Sequence, residues 1–98
     1  MNSEYIIVKE YCTYNQIEPD FVVQLEDEGL IEIKFFDDER YIHVSQLSNL
    51  EQYTRWHYEL SVNIAGIDVM QNLLNKINEM QGEIDRLKQQ IKLIDSSL

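Results

Sequence analysis

Val8-Lys9-Glu10-Tyr11-Cys12-Thr13-Tyr14-Asn15-Gln16-Ile17-Glu18-Pro19-Asp20-Phe21-Val22-Val23-Gln24-Leu25-Glu26-Asp27-Glu28-Gly29-Leu30-Ile31 reads as two short helices joined by a turn. Val8 to Asn15 predicts the first, with Val8, Tyr11 and Cys12 on its inner face, since apolar residues three and four apart share one stripe. Pro19 suits a first helical turn, and Glu18 and Asp20 beside it suit the positive end of the helix dipole. Phe21, Val22 and Leu25 supply the apolar face of this second helix, and Gly29 caps its C-terminus. Downstream, Leu30–Phe36 and Arg40–Val44 are β-branched and aromatic runs around Asp37-Asp38-Glu39, which predicts a β-hairpin or wing. Ser45 is the expected N-cap of a helix through Leu60, with Leu47, Leu50 and Tyr53 facing inward.

The layout is that of a helix-turn-helix frame, but its charge is wrong for a duplex. Neutralising phosphates takes Lys and Arg. From Met1 to Leu60 the only cations are Lys9, Lys34, Arg40 and Arg55, against thirteen carboxylates, a balance of −9. Over all 98 residues the net charge is −10, so any charged partner is expected to be basic and DNA is expected to be repelled. Cys12 stands alone, which excludes an intrachain disulfide and fits a reducing, cytoplasmic setting. Met1-Asn2-Ser3-Glu4 and four apolar residues make too short and too acidic a start for a signal peptide. No apolar run approaches the roughly 20 residues of a membrane span.

The C-terminal stretch follows a different rule. Met70, Leu73, Ile77, Met80, Ile84, Leu87, Ile91, Ile94 and Leu98 succeed one another at alternating steps of three and four, a heptad seam. Ile77, Ile84 and Ile91 occupy one core position, and Leu73, Met80, Leu87 and Ile94 the other. Gly82 falls on the outer face, where it costs about 1 kcal/mol of helix propensity but no packing. Each buried Leu or Ile is worth roughly 1.5–3 kcal/mol, which favours pairing with a second chain over exposure. The expected fold is therefore mainly α. Residues 1–60 form a winged helix-turn-helix domain with a small β-hairpin wing, and 61–98 form a long dimerising coiled-coil helix. The seam alone fits parallel and antiparallel homodimers equally.

The order helix, turn, helix, Gly29-Leu30-Ile31, wing and Arg40-Tyr41 resembles the MerR winged helix-turn-helix superfamily, whose members add a dimerising helix after the domain. Arg55-Trp56-His57-Tyr58-Glu59-Leu60-Ser61-Val62-Asn63-Ile64-Ala65-Gly66-Ile67-Asp68-Val69 resembles a narrower branch, the chaperone modulator CbpM family. Glu-Leu followed six residues later by Gly-Ile is the most specific part. That resemblance implies binding to, and inhibition of, the J-domain of a CbpA-type, DnaJ-like co-chaperone. In the DNA-reading branch the second helix carries an Arg-Tyr-Tyr stretch, and the matching positions here are Val23, Gln24 and Leu25. The branch also places arginines around the wing, where this chain has Glu32, Asp37, Asp38 and Glu39 and keeps Arg40. Arginine matters there because its planar fork grips phosphates and guanine edges bidentately.

The resemblance further implies that the partner offers the basic helix that J-domains present to DnaK-type Hsp70 chaperones. The residues expected to meet it are Glu26, Asp27 and Glu28 at the end of the second helix and Asp37, Asp38 and Glu39 in the wing, with Trp56 as an apolar anchor. Complementary charge selects the partner and speeds encounter, while affinity needs such an anchor. Catalysis is not expected, and neither is a cofactor. His43 and His57 are fourteen residues apart without carboxylates or thiols at ligand spacing, so no metal site is expected. Ser45 lacks a nucleophile elbow, and the three glycines form no phosphate loop. The alternative function is a MerR-type DNA-binding transcriptional regulator whose dimer reads two half-sites.

Overall fold

The computed structural model describes residues 4–97. Met1 to Ser3 and the seam's Leu98 lie outside the described residues. The chain runs β1 (Tyr5–Ile7), α1 (Val8–Asn15), α2 (Pro19–Asp27), β2 (Ile33–Phe36), β3 (Glu39–His43), a 3-10 turn (Val44–Gln46), α3 (Leu47–Leu60) and α4 (Ile64–Ser97). It is mainly helical with one small antiparallel sheet. Two compact units are distinguished, Met1–Asp68 and Val69–Leu98.

In the first unit, local stops shape the helix pair. Gln16 takes the left-handed region (φ 57°) and ends α1, and the Ile17 N–H then donates to the Cys12 carbonyl at 3.0 Å. This turns the buried Ile17 inward. Pro19 opens α2, where its missing N–H costs nothing. At the other end Gly29 (φ 74°) reverses the chain: its N–H donates to Glu26 and that of Leu30 to Leu25, both at 2.9 Å. This paired pattern is a Schellman cap, and the left-handed φ is the reason for glycine there.

The wing is one hairpin of a three-stranded sheet in the order β1-β3-β2. Its two-residue turn is Asp37-Asp38, both at positive φ (52° and 60°), while Glu39 already belongs to β3. Strand β1 adds Tyr5, Ile6 and Ile7 opposite His43, Ile42 and Tyr41, a pairing that the sequence reading did not anticipate. Ser45 is a correction. The turn before α3 is capped by His43, whose Nδ1 accepts from the Ser45 N–H at 3.1 Å and lies 2.8 Å from the Ser45 hydroxyl. Ser45 therefore sits inside the 3-10 turn, and α3 begins at Leu47.

The core of this unit draws on every layer: Val8 and Cys12 from α1, Phe21, Val22 and Leu25 from α2, Ile42 from β3, Leu50, Tyr53 and Trp56 from α3, and Ile67 from the first turn of α4. No polar or charged residue is buried among the described residues. Burial raises the pKa of the Tyr53 phenol, assisted by Asp68, and that of Tyr11, assisted by Glu51. Because the folded state holds these protons more tightly than the unfolded chain, their contribution is complete below pH of about 10 and is lost as pH rises through the folded values. Tyrosinate absorbance followed with circular dichroism is expected to show two tyrosines ionising late, together with loss of structure.

In the second unit α4 continues as one uninterrupted helix. The seam residues Leu73, Ile77, Met80, Ile84, Leu87, Ile91 and Ile94 are exposed in the single chain, at 44–64 %, and Met70 is half-buried. Gly82 has open space around its Cα. No helix among the described residues is long and apolar enough to cross a membrane.

Candidate partner-binding surface

The surface expected from sequence lies on α2 and the wing. Glu26 is half-buried, whereas Asp27 and Glu28 are exposed. All three stand at the C-terminal end of α2, where no basic residue occupies the last turn. Acids there oppose the helix dipole, at a cost of about 0.3–1 kcal/mol each. A helix end serving stability alone would carry Lys or Arg, so this run breaks a local rule.

In the wing, Asp37 and Asp38 are exposed at the turn and Glu39 is half-buried. Such a turn favours Asn-Gly, and two adjacent aspartates put like charges where glycine would be easier. A groove of about 200 Å³ runs between the helix pair and the wing, lined by Val8, Lys9, Pro19, Val23, Asp38, Glu39 and Arg40. It brings the wing acids to the first half of α2, one to two turns before Glu26. The two acidic triads therefore flank α2 from different ends.

Three residues at the positions of a duplex-facing stretch are also placed. Gln24 is exposed, Val23 is half-buried, and Leu25 is fully buried in the core. Leu25 thus faces the protein interior.

Trp56 must be reassigned. It is 8 % exposed and its ring lies 6.0 Å from that of Tyr53, so it is a core residue and cannot anchor a partner on the folded surface. Its neighbours are structural too. His57 stacks on Phe21 at 4.5 Å and its Nδ1 donates to the Val62 carbonyl at 2.8 Å. The Tyr58 hydroxyl accepts the Glu18 N–H at 3.1 Å, which fixes the start of α2. Asn63 caps α4 by accepting the Gly66 N–H at 2.8 Å. A Cβ at Gly66 would meet Val62 Cγ1 at 2.8 Å and Asn63 Oδ1 at 3.2 Å, so any larger residue would force these side chains to shift. The Gly-Ile half of the signature therefore has a packing explanation, with Ile67 fully buried, whereas Glu59 and Leu60 are exposed.

The apolar groups that the surface does offer were not picked out by the sequence reading. Phe35 and Phe36 are 65 % and 67 % exposed, with the Arg40 guanidinium 5.8 Å from the Phe35 ring centre. Their signal was in plain view: adjacent residues of a strand point to opposite faces, so Phe-Phe beside a turn leaves at least one ring outside. Among the described residues no three His, Cys, Asp or Glu side chains converge as metal ligands. Cys12 is buried, and burial raises its pKa, keeping it a thiol.

Comparison with known proteins adds one decisive finding. Residues 6–89 match the family described as MerR HTH family regulatory protein. The chain belongs to this MerR family. The match spans the helix pair, the wing, α3 and most of α4, so both the domain and the long helix are family features. No curated protein and no solved structure matches the chain.

Proposed function

We propose that this MerR-family chain is a non-enzymatic regulator that binds a protein in place of DNA, and that its partner is the J-domain of a CbpA-like or DnaJ-like co-chaperone, whose work with Hsp70 it inhibits. The observation carrying this reading is the charge of the elements that a MerR-type reader turns to the duplex. The exposed end of α2 is Asp27-Glu28, the wing turn is Asp37-Asp38, and the unit's cations are outnumbered by carboxylates. Such a surface repels phosphates and attracts a basic helix. The narrower choice of a J-domain rests on the resemblance of residues 55–69 to the CbpM family. The exposed seam of α4 supports a homodimer as the working form.

Family membership alone favours the second reading, a DNA-binding transcriptional regulator. The acidic balance weighs against it. Replacing Glu26, Asp27 and Glu28 together by Lys is expected to weaken J-domain binding at least about a hundredfold, a cost of roughly 2.7 kcal/mol, with helix content unchanged. Calorimetry and circular dichroism on the same samples check this, and undiminished binding by a folded variant removes the α2 acids from the interface.

A further inference from the structure

The wing leaves one edge of the sheet open. Strand β2 is hydrogen-bonded to β3 and, among the described residues, has no neighbouring strand on its other side. The two-residue turn makes Phe36 and Glu39 a bonded pair, and alternation makes Lys34 and Tyr41 the next. On that same side Gln46 clasps Glu32, accepting its N–H at 2.7 Å and donating to its carbonyl at 2.8 Å. Ile33 and Phe35 therefore turn their N–H and C=O groups outward.

The side chains add a second observation. Phe35 and Phe36 project to opposite faces of the sheet and both are largely exposed. Natural edge strands usually carry charge or proline to prevent pairing, and here only Lys34 does so. A helix laid across the sheet would cover one of the two rings. An extended segment along the edge touches both and satisfies the outward backbone groups.

Charge selects the segment. Glu32 precedes the strand, Asp37 and Asp38 follow it, and Glu39 faces Phe36 across the ladder. The opposing cations are Lys34 and Arg40, and Arg40 is engaged over Phe35. A second copy of this chain would bring the same acids together. We propose that the open edge of β2 takes an extended cationic segment of another protein as a fourth strand, flanked by Phe35 and Phe36, with Glu32, Asp37 and Asp38 meeting its Lys or Arg side chains. This surface shares Asp37 and Asp38 with the proposed J-domain interface but not the acids at the end of α2, so a loss of amide slowing at β2 and a failure of J-domain binding are separate results.

Amide exchange in the full-length, isotope-labelled protein tests it, with a short synthetic peptide of alternating Lys and Val at millimolar concentration as probe. The Ile33 and Phe35 amides are expected to slow about tenfold or more, while Lys34, already bonded to β3, stays unchanged. Methylating the peptide's backbone nitrogens should abolish the effect, and replacing Phe35→Ser with Phe36→Ser should weaken it about tenfold. If that variant loses its fold, the methylated peptide on the unaltered protein still decides. The proposal is overturned by no slowing at Ile33 and Phe35, by equal slowing with a Glu and Val peptide, or by slowing that follows protein concentration without peptide, which would make a second copy the occupant.

Discussion

Replacing Ile84 and Ile91 with Lys is expected to convert a dimer into monomers and to lower the helix content of the second unit. Both residues lie at one position of the seam and are 44 % and 58 % exposed in the single chain. Burying each in a partner contributes roughly 1.5–3 kcal/mol, so the four side chains of a pair contribute about 6–12 kcal/mol. A micromolar dimer requires about 8 kcal/mol, so their loss removes most of the association energy. Helix content should fall because a polar helix without packing has little to hold it beyond propensity. Sedimentation equilibrium is expected to place the unaltered protein at twice the chain mass of 11.7 kDa and the variant at that mass. An unaltered protein sedimenting as a monomer at high micromolar concentration would remove the seam from consideration as a dimer interface.

The second large effect concerns the helix pair. Leu25→Ala is expected to unfold a substantial fraction of the first unit at room temperature. Leu25 is completely buried, and its carbonyl accepts the Leu30 N–H of the cap that ends α2. Truncating a buried leucine costs about 2–5 kcal/mol, the variation reflecting how far the cavity closes. A domain of this size sits at the lower end of the usual 5–15 kcal/mol of stability. Gln24→Ala, at the exposed neighbour, should change stability by no more than about 0.5 kcal/mol. Urea unfolding of the two variants makes the comparison. Equal midpoints would mean that position 25 faces outward, as the matching position does in a DNA reader.

Much of this fold is written in punctuation that acts locally. Pro19 and Gly29 bound α2 through backbone restrictions that need no tertiary partner, and Leu47, Leu50 and Tyr53 recur at helical spacing, with Leu50 and Tyr53 buried. The hairpin was legible because Asp37-Asp38 interrupts two β-prone runs. Strand β1 was not legible, since three apolar residues carry no alternation and the pairing is supplied by β3, more than thirty residues away. Ser45 is a good helix cap on average, but here the cap lies two residues earlier, where the His43 ring accepts the N–H of Ser45 itself.

The candidate surface divides along similar lines. Charge is additive and survives without coordinates, so the acids of α2 and the wing stand out in the bare sequence, and the structure places Asp27, Glu28, Asp37 and Asp38 on the outside. An aromatic side chain is different, because a ring serves a core and an interface equally well. Trp56 went to the core, and Phe35 and Phe36 to the surface. Only the position of each relative to the sheet and to α3 separates these outcomes.

The most direct test is a calorimetric titration of the purified protein with the J-domain of the CbpA-like protein from the same cell, at low and high salt, with a DNA duplex titrated in parallel. Binding to the J-domain that weakens with salt, and no heat with DNA, is the predicted result. Binding to the duplex with none to the J-domain would contradict the account, and would mean that this acidic winged helix reads DNA after all.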